Sequence, residues 1–162
     1  MGAAQIPRDD NSRAAYNITG VAGEYFVAAE LSRRGWIATL TLKNTPNIDV
    51  IATTPDGLRT LNIQVKTRSI KNRAGWILTK KIETSVPGEN FYIAFVDLKG
   101  HDENPDYYLI PRNLFSKWIA EKHSQWLAAP GRSGRVHVDN PIRAFDKPDF
   151  ERFEKYHNNW NI

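Results

Sequence analysis

Apolar and polar residues alternate most cleanly along Leu61-Asn62-Ile63-Gln64-Val65-Lys66-Thr67, a pattern that predicts a β-strand. Leu61, Ile63 and Val65 share one face, and Asn62, Gln64 and Lys66 share the other. Upstream, Thr19-Gly20 opens a helical stretch that runs to about Arg34 and is closed by Gly35, the residue type that accepts a left-handed turn after a helix. Val27, Ala28 and Leu31 stand three, four and seven residues after Glu24, so Glu24 lies on their apolar face. Arg33 and Arg34 fall near Glu30 on the wet side. Trp36 to Leu42 and Ile48 to Thr53 read as strands separated by a turn at Lys43-Asn44-Thr45-Pro46-Asn47. Pro55-Asp56-Gly57 is turn chemistry, so the strand at 48–53 and the strand at 61–67 form a predicted hairpin. Phe91 to Val96 is apolar throughout, as a strand buried on both faces is. A short strand over 106–110 follows. Pro111 then starts a helix to about His123, Ala129 to Asp146 is loop, and a last helix covers roughly Asp149 to Asn158. The order predicts an α/β fold, a central mixed sheet with helices on its faces.

Length and composition change this picture little. The chain has 162 residues and 25% of them are charged, ordinary for one globular domain. No apolar run approaches the ~20 residues of a membrane helix. Met1 to Asn17 lacks the layout of a secretory signal and is expected to be a flexible arm before a single domain over 18–162. The absence of cysteine excludes disulfides and zinc–thiolate sites and fits a cytoplasmic protein. The net charge of +4 is compatible with a polyanionic partner. The cations concentrate after the best strand, where Arg68, Lys71, Arg73, Lys80 and Lys81 surround Trp76. Such a run can follow a phosphate backbone, or it can simply be a solvated face.

Candidate chemistry lies on adjacent elements. An acid on the core side of a helix is costly without a partner, although near a helix start the dipole supports it. Mg²⁺ takes oxygen ligands, commonly one or two carboxylates with water and phosphate. Asp49 is the natural first ligand, Glu24 a second or water-mediated one, and Gln64 a neutral amide ligand. Lys66 could hold the attacking water and steady charge on phosphate. His101, His123, His137 and His157 are scattered, without metal-ligand spacing, and read as surface or core fillers. Pro130-Gly131-Arg132-Ser133-Gly134-Arg135 lacks the lysine–serine ending of a phosphate loop. Trp118 and Trp126 read as core, and Trp160 as packing the last helix down.

Glu24 in a first helix, Asp49 in a strand and Gln64-Val65-Lys66 in the next strand resemble the PD-(D/E)XK nuclease superfamily. So do Gly20-Val21-Ala22-Gly23-Glu24 and Arg34-Gly35-Trp36, with the likeness extending over residues 18 to 68 and more loosely over 91 to 97. It implies a restriction-endonuclease-like α/β/α core, a Mg²⁺ site that Mn²⁺ can also fill, and a DNA substrate. It assigns metal binding to Glu24 and Asp49 and the catalytic lysine to Lys66. Cutting both strands of a duplex usually takes two sites, so a homodimer is the assembly that this likeness implies. Gln64 stands where the family has Asp or Glu, a variant found in some of its members, and Pro46 precedes Asp49 by three residues. Two alternatives stand beside the nuclease: a nuclease-fold module that binds nucleic acid without cutting it, and an interaction domain in which Glu24 and Lys66 form a buried ion pair.

Overall fold

A computed structural model describes residues 10–42, 45–72, 74–131 and 134–162. Helix α1 (Asp10–Ser32) comes first, followed by the strands β1 (Ile37–Leu40), β2 (Val50–Thr53), β3 (Thr60–Arg68) and β4 (Trp76–Thr79). A 3-10 turn (Lys80–Glu83), β5 (Phe91–Asp97), β6 (Asp106–Pro111) and α2 (Arg112–Ala128) follow. The chain ends with β7 (Ile142–Phe145), α3 (Lys147–Phe150) and a 3-10 helix (Glu151–Tyr156).

The main sheet has five strands in the order β1-β2-β3-β5-β6. Only the β3–β5 pair is parallel, so the sheet is mixed, as expected. The odd-numbered residues of β3, Leu61, Ile63 and Val65, pack with Val27 and Leu31 of α1. On the opposite face, Ile93 and Phe95 of β5 and Ile110 of β6 pack with Phe115 and Ile119 of α2. The result is an α/β/α sandwich. Among the described residues no helix is long and apolar enough to cross a membrane.

Several expectations need correction. First, α1 begins at Asp10 rather than at Thr19-Gly20, so residues 10–17 are helical, while residues 1–9 of the expected arm lie outside the described residues. Second, β2 starts at Val50, leaving Asp49 just before the strand. Third, the cationic stretch contains strand β4. Fourth, the expected loop at 129–146 contains β7, which pairs antiparallel with β4. Trp76 and Leu78 of β4 and Phe145 of β7 turn inward onto Phe95 and Phe115. A two-stranded ribbon is marginal alone; here its apolar face is covered by the main sheet and α2. α2 also runs past His123 to Ala128.

The other expected packing holds in part. Trp160 meets Tyr107 edge-on, with ring centroids 5.1 Å apart. Trp118 packs against the second core. Trp126 does not join a core: it is 40% exposed and stacks on His137 at 4.0 Å.

Candidate active site

The site forms where the β2–β3 ladder stops. The register runs from Thr53↔Thr60 to Val50↔Ile63. One more rung follows, from Asp49 N–H to the Ile63 carbonyl at 2.9 Å. The next donor of β3, Val65 N–H, finds no backbone partner in β2. It donates instead to Asp49 Oδ2 at 2.7 Å. The Asp49 carboxylate thus takes the place of a backbone carbonyl, satisfying a donor that would otherwise be orphaned. Beyond this point β3 pairs only with β5, and its other edge is open.

A cavity of about 430 Å³ occupies that open edge. Glu24 enters from α1, Asp49 from the segment before β2, and Lys66 from β3; Thr41, Thr67 and Asn17 also line it. Val50 and Val65 belong to the core under α1. Strand alternation therefore puts Asp49, Gln64 and Lys66 on the face away from α1, while Glu24 comes from α1 itself. Glu24, Asp49 and Lys66 nevertheless line the same cavity.

Gln64 does not line this cavity. It is half-buried in β3, and its amide oxygen is buried with no hydrogen-bond partner among the described residues. Such an orphaned acceptor is costly and is the kind of oxygen a cation would satisfy. The two carboxylates that reach the cavity, Glu24 and Asp49, fit the donor set Mg²⁺ takes together with water and phosphate; the Gln64 side chain is not among the groups that line it. Among the described residues no group of three or more His, Cys, Asp and Glu side chains converges, so a metal here relies on two acids, not three.

Helix α1 lies close to β3 at this end. Gly23 is buried against Thr67, and a Cβ at Gly23 would press on Thr67 Cγ2 at 2.8 Å and Cβ at 2.9 Å. Thr67 Oγ1 donates to the Gly20 carbonyl at 3.5 Å. The Gly20-x-x-Gly23 spacing was visible in the sequence. Its opposition to Thr67 was not, because it depends on how α1 packs.

The expected nucleic-acid contacts separate. Arg68 turns inward: its Nη2 donates to Asp97 Oδ2 at 2.5 Å, and its guanidinium lies 4.3 Å from the Trp76 ring centre. Lys80 is paired with Asp139 at 2.8 Å. Hydrogen bonds from Lys80 and His123 hold the Asp139 carboxyl well below the usual carboxylate range. Lys71 and Lys81 are exposed, and Arg73 lies outside the described residues. So do Arg132 and Ser133 of the loop discounted as a phosphate binder.

No family model matches the chain, and no curated protein does. Among solved structures, a bacterial homing endonuclease, I-Ssp6803I, is similar with a TM-score of 0.45 and 14% identity, over 62% of this chain and 71% of that one. The Archaeoglobus fulgidus Holliday junction resolvase Hjc is similar with a TM-score of 0.45 and 16% identity, over 82% of this chain and 88% of that one.

Proposed function

We propose that the protein is a Mg²⁺-dependent DNA endonuclease that hydrolyses a phosphodiester at the open edge of β3. The observation that carries this reading is the convergence of Glu24, Asp49 and Lys66, from three separate elements, on one cavity. Asp49 and Glu24, the two carboxylates lining the cavity, would hold the metal. When bound, the metal would supply a Lewis acid that polarises a phosphate oxygen and acidifies water.

This chain's own residues do the rest. The Lys66 ammonium carries three donors and no acceptor, so it can donate to a non-bridging phosphate oxygen as negative charge grows there. It can also orient the attacking water by its lone pair. Water adds to phosphorus, the bond from phosphorus to the leaving oxygen breaks, and the water proton ends on solvent or on the leaving oxygen. The Asp49 carboxylate stays fixed throughout because Val65 N–H holds Oδ2. Fixed charge of this kind is worth most where it need not reorganise.

A second reading keeps the DNA and drops the chemistry. It draws on Gln64, whose neutral amide removes one charge from the metal position. Cleavage of supercoiled plasmid and of a branched oligonucleotide separates the two, with Mg²⁺ or Mn²⁺ against EDTA. The nuclease reading expects metal-dependent cutting that falls by roughly 10²-fold or more in Lys66→Ala with an unchanged thermal midpoint. No cutting by the wild type, together with no Asp49-dependent metal binding by calorimetry, would leave the binding module.

A further inference from the structure

The cavity is walled largely by polar groups, yet its lip carries Leu42 at 87% exposure. The Leu42 backbone is held by hydrogen bonds. Its carbonyl accepts from Thr45 N–H at 3.2 Å and from Thr45 Oγ1 at 2.8 Å. The preceding residue is tied to the Asp49 segment, through Thr41 N–H to the Asp49 carbonyl at 3.0 Å and Thr41 Oγ1 to the Ile48 carbonyl at 2.6 Å. The backbone presenting Leu42 is thus bound to the backbone presenting Asp49. Two more exposed apolar side chains stand at this end of the sheet: Ile18, 70% exposed, beside cavity-lining Asn17 in α1, and Ile70, 54% exposed, just after β3. Isolated exposed leucines are ordinary. Leu58, 83% exposed, is one, in the β2–β3 turn at the far end of β3.

A hydrated phosphodiester gains nothing from a leucine. An intact duplex covers its apolar base faces by stacking and shows a protein only backbone and base edges. Apart from the thymine methyl groups of the major groove, an apolar side chain at the lip of a phosphate site finds its matching surface where a base step has opened. Leu, Ile, Met and Phe are the side chains that enter such steps. We infer that Leu42 is a wedge that inserts into an opened base step beside the phosphate held at Lys66. The preferred substrate is then DNA with a weakened step, such as a bulge or a mismatch, because there the cost of unstacking is already reduced. This inference rests on the nuclease reading of the cavity.

The test uses the full chain, with Ca²⁺ in place of Mg²⁺ to suppress cutting, and two duplexes, one fully paired and one with a single-nucleotide bulge. Each carries 2-aminopurine at the central step, and binding is followed separately by anisotropy. The wild type is expected to raise 2-aminopurine fluorescence on the bulged duplex and to bind it about ten-fold tighter than the paired one. Leu42→Ala is expected to keep its affinity for the paired duplex within about three-fold while losing the fluorescence rise and most of the preference; Leu42→Met restores both. Thermal midpoints of the variants guard against misfolding. A rise and preference that persist in Leu42→Ala would overturn the wedge, as would a wild type that binds both duplexes equally without a rise. In those cases the nuclease reading stands. Binding to neither duplex would instead overturn the nuclease reading, and the wedge with it.

Discussion

At the scale of single residues, Gly23 decides how close α1 comes to β3. Glycine inside a helix costs about 0.5–1 kcal/mol relative to alanine, so helix propensity alone favours Gly23→Ala. Packing opposes it, since the new Cβ would crowd a β-branched side chain whose hydroxyl is engaged by the Gly20 carbonyl. Overpacking typically costs ~1–3 kcal/mol, which outweighs the propensity gain. The strain is relieved most simply by moving α1 outward, and Glu24 moves with it. Gly23→Ala is therefore expected to remain folded, with a thermal midpoint lower by a few degrees (roughly 2–4 °C per kcal/mol at this size), and to lose metal-dependent cleavage. Thr67→Gly in the same chain should return activity. Gly20→Ala is the control, because nothing lies within 4 Å of a Cβ there; it should be neutral or slightly stabilising. Equal losses from the two alanines would show that the Gly23–Thr67 contact does not set the site.

At the scale of elements, the outer edge of β6 is closed by the end of the chain. Tyr107 N–H donates to Asn158 Oδ1 at 2.9 Å, and Asn158 N–H returns to the Tyr107 carbonyl at 2.8 Å. Asn158 Nδ2 reaches Asp106, and Asp106 is bridged by Lys99 Nζ at 2.7 Å. Burial pushes the Asp106 carboxyl up, but hydrogen bonds from Lys99 and Asn158, with the charges of Lys99 and His157, outweigh it and leave it below 3.8. The hydrogen bond to Asp106 holds Lys99 above 10.5, against burial. The signs are opposite. The Asp106 contribution is present above pH 3.8 and is lost as pH falls through the lower folded value. The Lys99 contribution is present below pH 10.5 and is lost as pH rises through the raised one. Both groups are about one-third exposed, so the pair contributes about 0–1 kcal/mol. Asp106→Asn should flatten both limbs of the urea midpoint against pH and change little near neutrality; an unchanged acid limb would show that the bridge carries no pH dependence. Some elements were legible before folding and others were not. The alternation of β3, the Pro55-Asp56-Gly57 turn and the apolar run of β5 each carry their own signal locally. β4 and β7 are four residues each and far apart in sequence, so neither shows a pattern without the other. β7 also hides behind Arg143, a charged residue at a buried position. Its guanidinium is satisfied by Glu83, by Asp139 and by the carbonyls of Asn140 and Ile142. Asp49 was legible as a residue type, but its departure from the ladder depends on where the β2–β3 pairing ends.

At the scale of the whole molecule, a net charge of +4 does not describe the surface a polyanion meets. The cationic stretch after β3 reads as one interface in the sequence, and folding divides it. Arg68 is only 11% exposed at its side chain, pairs with Asp97 and lies over Trp76. Its Nε and Nη1 are buried without hydrogen-bond partners among the described residues. Lys71 faces solvent. The two alanine variants should therefore fail in different ways. Arg68→Ala leaves the buried carboxylate of Asp97 without that guanidinium, and breaking a buried pair this way costs about 3–5 kcal/mol. The partly buried Lys99 at 3.5 Å offsets only part of it, so a thermal midpoint lower by roughly 10 °C is expected. Lys71→Ala should change stability by less than ~0.5 kcal/mol. If Lys71 meets a phosphate, its removal should weaken DNA binding for all sequences alike and lower the slope of log K against log salt by about one. Thermal melts and binding titrations between low and moderate salt read both effects. If Arg68→Ala instead kept its midpoint and lost salt-dependent affinity, Arg68 would be a phosphate contact after all, and the cationic stretch would act as the single interface its sequence suggests.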